Sequence, residues 1–220
     1  MAKKDKRDEL LDLVPVEAKR ILDIGCGDGG LGFKLKQKGR EVIGVEGDER
    51  LCFLAGQKLD RIVPGDIEML TLPFTKGYFD CILYADVLEH LIDPLNILKS
   101  HRDYLNDAGC IVASIPNVRY YKVIGGLVFK DTWDYMDKGI LDRQHLRFFT
   151  IINIKELFAG AGYEIIHIGR NVVTSRLLKI FNFIFLKSLR HFLTYQYYIV
   201  ARKVSLEFAA SFKKRKIEQF

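Results

Sequence analysis

Cysteine is scarce and scattered. Cys26, Cys52, Cys81 and Cys110 form no C-x-x-C pair and join no Cys/His cluster, which excludes a zinc-finger pattern and a disulfide framework and points to a reducing, cytoplasmic setting. Long apolar runs are missing too. The nearest to one, Leu177 to Leu193, is broken by Lys179, Lys187, Arg190 and His191, so no membrane span is expected. The basic start Met1 to Arg7 leads into Asp8, Glu9 and Asp12 rather than an apolar stretch, so no secretory leader is expected either. There is no internal repeat and no low-complexity segment. The chain also lacks a strongly charged body: of the net +6, residues 1–9 hold four basic against three acidic side chains and residues 202–220 hold six against two. The remainder is nearly neutral, which argues against nucleic acid as a partner.

What is present is core. With 220 residues and 49% apolar side chains, the chain can bury one full α/β domain, placed here at 1–203 with a basic tail at 204–220. Strand-like runs recur at Arg20–Ile24, Glu41–Glu46, Arg61–Pro64, Phe79–Tyr84, Cys110–Ile115, Gly162–Ile168 and Tyr195–Ala201. Helical or turn-rich segments separate the first five, which predicts a doubly wound, mostly parallel sheet with helices on both faces. Leu91, Leu95, Leu98, Arg102 and Leu105 fall at helical spacing, with Asp93 as N-cap and Pro94 at the first helical position. Thr150 opens another helix whose buried face would be Ile154, Leu157, Phe158 and Ala161, with Gly162 ending it.

The most telling stretch is Ile21-Leu22-Asp23-Ile24-Gly25-Cys26-Gly27-Asp28-Gly29-Gly30. A buried strand meets an acidic residue and then glycines at alternate positions, forming a turn that a ligand can approach closely. In the G-x-G-x-x-G of dinucleotide enzymes this turn cradles a pyrophosphate, which Asp23 would repel; a cationic amino-acid-like group would be attracted instead. The loop Asp23, Gly25, Cys26, Gly27 and Gly29 resembles the first motif of class I S-adenosylmethionine (SAM)-dependent methyltransferases. Further residues extend the likeness. Glu46 ends the second strand about twenty residues on, where this fold needs an acceptor for ribose hydroxyls. Asp66, after the third strand, matches the family's acceptor from the adenine amino group, and Ile67 the apolar residue that packs on the ring. Ala85 and Asp86, in Phe79 to Pro94, match the backbone that holds the methionine end of SAM, in a signature similar to that of ubiquinone-biosynthesis O-methyltransferases. Ser114-Ile115-Pro116-Asn117 is common in that branch and lacks the N-P-P-Y-type motif of base-amino methylation. The resemblance implies a seven-stranded Rossmann-like sheet with its last strand antiparallel, SAM as cofactor and no metal. Gly30 and Gly32 weaken the first helix, which must rely on packing by Leu31 and Leu35.

Methyl transfer rests on placing an acceptor behind the sulfonium methyl, and an oxygen acceptor gains most from a base. By analogy two histidines compete for that role: His145, preferred for its place before the penultimate helix, and His90, just past the fourth strand. Either can also be a histidine satisfied by a carboxylate or backbone group. Residues 117–150, with Tyr120, Tyr121, Trp133, Tyr135, Asp142, Arg143 and Arg147, suit a lid over a polar acceptor, and a small packed subdomain is the alternative. Their Trp-Asp-Tyr and His-Leu-Arg-Phe-Phe-Thr runs resemble methyltransferases of bacterial cell-surface glycan synthesis. Residues 175–194 project as a cationic amphipathic face. Three occupants suit it: an anionic inner-membrane surface approached peripherally, the acceptor pocket, or a second copy in a homodimer. The sequence thus predicts methylation of an oxygen, rather than a nitrogen, on a small-molecule or glycan/lipid-linked acceptor. The rival readings are a non-catalytic SAM-binding regulator or partner subunit, and an NAD-dependent oxidoreductase, disfavoured by Asp23.

Overall fold

A computed structural model describes residues 8–172 and 190–204. Seven strands form one sheet: β1 (Arg20–Ile24), β2 (Glu41–Glu46), β3 (Arg61–Pro64), β4 (Phe79–Ala85), β5 (Leu105–Pro116), β6 (Tyr163–Val172) and β7 (Thr194–Lys203), in the order β3-β2-β1-β4-β5-β7-β6. β1 to β5 run parallel, and β7 lies antiparallel to both its neighbours. The helices are α1 (Asp8–Leu11), α2 (Gly30–Lys36), α3 (Glu49–Gly56), α4 (Pro94–His101), α5 (Tyr121–Lys130), α6 (Ile151–Gly160) and α7 (Arg190–Leu193).

The central strands read as nearly continuous apolar runs, interrupted by Asp23 in β1 and Asp80 in β4, because both faces are covered. Alternate residues divide between two cores. Leu22, Ile24, Ile82, Ile111 and Ile199 meet α4 and α6 through Ile97, Leu98, Ile154 and Phe158. Ile21, Val42, Leu83, Val112 and Val200 meet α1, α2 and α3 through Leu10, Leu31, Leu35 and Ala55.

The expected helix starts are found. Asp93 accepts from Asn96 N–H and Pro94 opens α4, while Thr150 caps α6 in a reciprocal box with Asn153. One expectation is corrected. Leu91 precedes the α4 cap and Leu105 begins β5, so the apolar spacing there spans a loop, a helix and a strand. Leu105 pairs with Phe79, and the register shifts before Cys81–Cys110.

Strand order reverses between β1 and β4. The loops beyond their carboxyl ends therefore diverge and open a crevice there, the usual binding place in a doubly wound sheet. Residues 117–150 leave β5 and return by way of an Asn117–Phe149 bridge, carrying α5, none of whose residues is buried. The cationic face expected at 175–194 falls mostly, and the tail expected at 204–220 falls beyond its first residue, outside the described residues. Among the described residues no helix is long and apolar enough to cross a membrane.

Candidate active site

The turn after β1 shows why its glycines alternate. Gly25, Gly27 and Gly29 have φ of 61°, 59° and 77°, a left-handed backbone that only glycine adopts at little cost. Gly25 is closed in: a Cβ there would lie 2.8 Å from Val87 Cγ2. At Gly27 an added Cβ meets nothing within 4 Å, so this face of the turn is open to a ligand. Cys26 points the other way. It is buried in the core, and its Sγ would stand 2.5 Å from a Cβ on residue 44, which is why β2 carries Gly44. Burial, then the Asp23 and Glu46 charges, push its thiol well above the usual range, so only its backbone can serve a ligand. Asp23 is 1% exposed and lies against α2 at Gly32, where a Cβ would come within 3.2 Å of its Oδ2.

Glu46 binds the crest of the sheet together. Its Oε2 accepts from Gly27 N–H at 2.8 Å, and its Oε1 from Gly47 and Asp48 N–H at 2.8 and 3.0 Å. Asp66 is exposed, accepting from Glu68 N–H at 2.9 Å, while Ile67 beside it sinks into the core. The Glu68 carboxylate in turn accepts from Ile92 and Asp93 N–H, fastening the β3 loop to the β4 loop.

Beyond β4 the chain bends at Asp86, whose φ of 60° is rare for a residue with a side chain. Ser114 of β5 accepts from Asp86 N–H at 3.0 Å and donates to its Oδ1 at 2.7 Å; Gln196 of β7 also donates to that oxygen. Asp86 thereby lines a cavity of about 370 Å³ with Glu89, His90, Asp142, His145 and Tyr195. The 144–147 strip is laced to the β4 loop: Leu146 and Arg147 N–H both donate to Glu89 O at 2.9 Å, and Arg147 reaches Ile92 O. This lacing brings the two candidate histidines together, with ring centres 4.7 Å apart and edge to face. Each Nδ1 faces a backbone carbonyl, His90 at Gln144 O (3.1 Å) and His145 at Ile140 O (2.9 Å). A carbonyl only accepts, so Nδ1 carries a proton in both rings, and in the neutral form of each the lone pair sits on Nε2. Burial, then repulsion from His145, lowers the pKa of His90.

Glu89 was not singled out by the sequence, although it follows Val87 and Leu88 in a buried run. It is 1% exposed, and among the described residues neither of its carboxyl oxygens meets a hydrogen-bond partner. Burial, then the Asp86 carboxylate, hold it protonated well above the usual carboxylate range.

The glycine turn, the carboxylate ending β2 and the cavity beyond β4 all lie at the carboxyl edge of one sheet. A model of the methyltransferase domain matches residues 2–168. The chain belongs to the class I SAM-dependent methyltransferase family. It is 31% identical over 163 residues to a demethylmenaquinone methyltransferase of Lactococcus lactis subsp. lactis, an alignment covering 65% of each chain. It is likewise 31% identical over 159 residues to a ubiquinone biosynthesis O-methyltransferase of Cereibacter sphaeroides, covering 69% of this chain and 62% of that one. The chain therefore spans somewhat under two thirds of the length of these curated relatives. In fold it is similar to a SAM-dependent methyltransferase of Archaeoglobus fulgidus, with a TM-score of 0.68 at 22% identity over 90% of this chain and 92% of that one. SAM is the cofactor of this methyltransferase fold, and the open turn at Gly27 beside the Glu46 carboxylate suits a nucleoside with an amino-acid tail.

Proposed function

We propose that the chain transfers the methyl group of SAM to an oxygen of a small-molecule or glycan-precursor acceptor held in the cavity beyond β4. One observation carries the reading. The cavity pairs two imidazoles, each directing Nδ1 at a backbone carbonyl and so leaving Nε2 for the acceptor. Bound SAM supplies an electrophilic methyl on a sulfonium. The protein's part is to hold both reactants in line, exclude water and accept a proton where the acceptor carries one.

In this reading the open turn of Gly25, Cys26, Gly27 and Gly29 over buried Asp23 takes the methionine end, with Ala85 and Asp86 across the crevice. Glu46 takes the ribose hydroxyls, and Asp66 and Ile67 take the adenine. His145 is the preferred base, with His90 packed edge to face on its ring. Residues 117–150 cover the acceptor as a lid, with Trp133 and Tyr135 gathered about Phe148. A relative named an O-methyltransferase supports oxygen over nitrogen.

The test is mass spectrometry of small-molecule extracts incubated with the protein and SAM. One metabolite should gain a single methyl group as S-adenosylhomocysteine accumulates. SAM binding without any methylated product would favour the regulatory reading. Replacing His145 by alanine should lower kcat by about 10²- to 10⁴-fold, the usual worth of a general base, and leave SAM affinity unchanged. Full activity in that variant, with the loss at His90→Ala instead, would move the role to His90.

A further inference from the structure

We propose that Glu89, His90 and His145 form a binding site for one divalent transition-metal ion of the zinc class within the acceptor cavity. One ligand atom from each residue lies within 4.8 Å of the other two. Around a tetrahedral ion with bonds of about 2.0–2.2 Å, ligands stand roughly 3.4 Å apart, so small side-chain rotations complete the set. The acceptor end of the cavity supplies the open position.

Two independent features point to a cation. The first is Glu89, a carboxyl that is 1% exposed, lines the cavity and meets no hydrogen-bond partner among the described residues. A buried polar group left so costs free energy unless something completes it. The second is the histidine pair. Both rings donate Nδ1–H to backbone carbonyls, which fixes the tautomer and leaves Nε2 to bind, as the outer shell of a metal-bound histidine does. The carbonyls belong to Gln144 and Ile140, so the strip that bears His145 also orients His90. Two neutral imidazole nitrogens with one carboxylate oxygen suit zinc, cobalt or ferrous ions, and suit magnesium or calcium poorly because these favour all-oxygen shells. The Asp86 and Asp142 carboxylates on the same wall add negative potential for a cation.

The proposal revises the expectation of a metal-free site and deepens the methyl-transfer reading, on which its role in chemistry rests. An acceptor hydroxyl bound to the ion releases its proton to solvent more readily. Its oxygen then forms the new C–O bond as the S–C bond breaks, the electron pair staying on sulfur. With the ion in place, the ion takes over the part assigned above to His145 as base, and His145→Ala then lowers activity through loss of a ligand.

The test is titration of the chelator-stripped full chain with Co²⁺, read by visible absorption and by metal content, with SAM titrated in parallel. One Co²⁺ per chain is expected, giving the intense visible bands of four- or five-coordination and displaced by Zn²⁺. Glu89→Gln and His145→Ala should each weaken Co²⁺ by more than the about 10- to 100-fold that loss of an outer-shell partner costs. The exposed His167→Ala, on β6, should leave it unchanged. The wild-type spectrum decides the matter even if a variant fails to fold, since no binding, or only the weak spectrum of hydrated Co²⁺, overturns the site. Unaltered affinity in folded Glu89→Gln and His145→Ala variants overturns it as well. SAM binding without Co²⁺ binding removes the ion and leaves the methyltransferase reading standing. Co²⁺ binding without SAM binding supports the ion and removes that reading.

Discussion

At the scale of single residues, Glu46 and Gly27 test the cofactor end from two directions. The Glu46 carboxylate already accepts from three backbone N–H groups, so it is held in place before any ribose arrives. Removing a charged hydrogen-bond partner costs about 1.5–3 kcal/mol, and Glu46→Ala should weaken SAM roughly 10- to 150-fold by calorimetry. Glu46→Gln, which keeps an acceptor oxygen, should lose less; unchanged affinity in the folded alanine variant would remove the assignment. Gly27 acts through space. No protein atom lies within 4 Å of a Cβ added there, so Gly27→Val is opposed chiefly by its left-handed backbone, at about 1–2 kcal/mol or more for a β-branched residue. Its side chain would fill the open face of the turn, and SAM binding should be abolished while the circular dichroism spectrum persists. Normal SAM affinity in this variant would show that the ligand does not approach at Gly27.

At the scale of elements, the joint between α2 and the sheet is the most sensitive. A Cβ on Gly32 would come within 2.8 Å of Leu59 Cδ2 and 2.9 Å of Val42 Cγ1, so this glycine lets the helix lie close over β1 and β2 while Leu31 and Leu35 hold it down. Gly32→Ala gains helix propensity, but overpacking of this kind costs about 1–3 kcal/mol. A lowered urea midpoint is expected, and a raised one would show that the joint is loosely packed. The strands themselves were legible because a doubly covered sheet writes itself as apolar runs: β1, β2 and β3 begin and end at the expected residues. The amino end of β5 was not legible, since Leu105 obeys helical spacing from Leu98 and only its pairing with Phe79 makes it strand. The loop glycines announced their turn through spacing alone. The meeting of His90 with His145 left no such trace, for it depends on Glu89 O accepting from two N–H groups more than fifty residues downstream. Glu89 went unread because its character comes from burial, which a lone carboxylate after Leu88 does not advertise.

At the scale of the whole molecule, two buried groups give stability opposite dependences on pH. Within the core of β4 and α4, the Tyr84 hydroxyl lies 2.6 Å from Nδ1 of His101, and burial lowers the pKa of that histidine to about 4. In the unfolded chain a histidine titrates near 6.5. Above that value both states hold the neutral ring and stability is unaffected. As pH falls from about 6.5 to about 4, the unfolded chain takes up a proton that the folded chain refuses, costing about 3 kcal/mol in all. Glu89 works the other way. Its folded carboxyl stays protonated well above the usual range, so its contribution is complete below about pH 4.3, where the unfolded carboxyl is also protonated, and is lost as pH rises toward the folded value. Urea midpoints of the chelator-stripped protein, measured from pH 4.5 to 8, should separate the two. His101→Gln, which keeps a polar partner for Tyr84, should remove the acid-side fall between pH 6.5 and 4.5, and Glu89→Gln should flatten the decline above pH 5. If the acid-side slope survived in His101→Gln, the neutral, buried state of His101 would not be what limits the fold in acid.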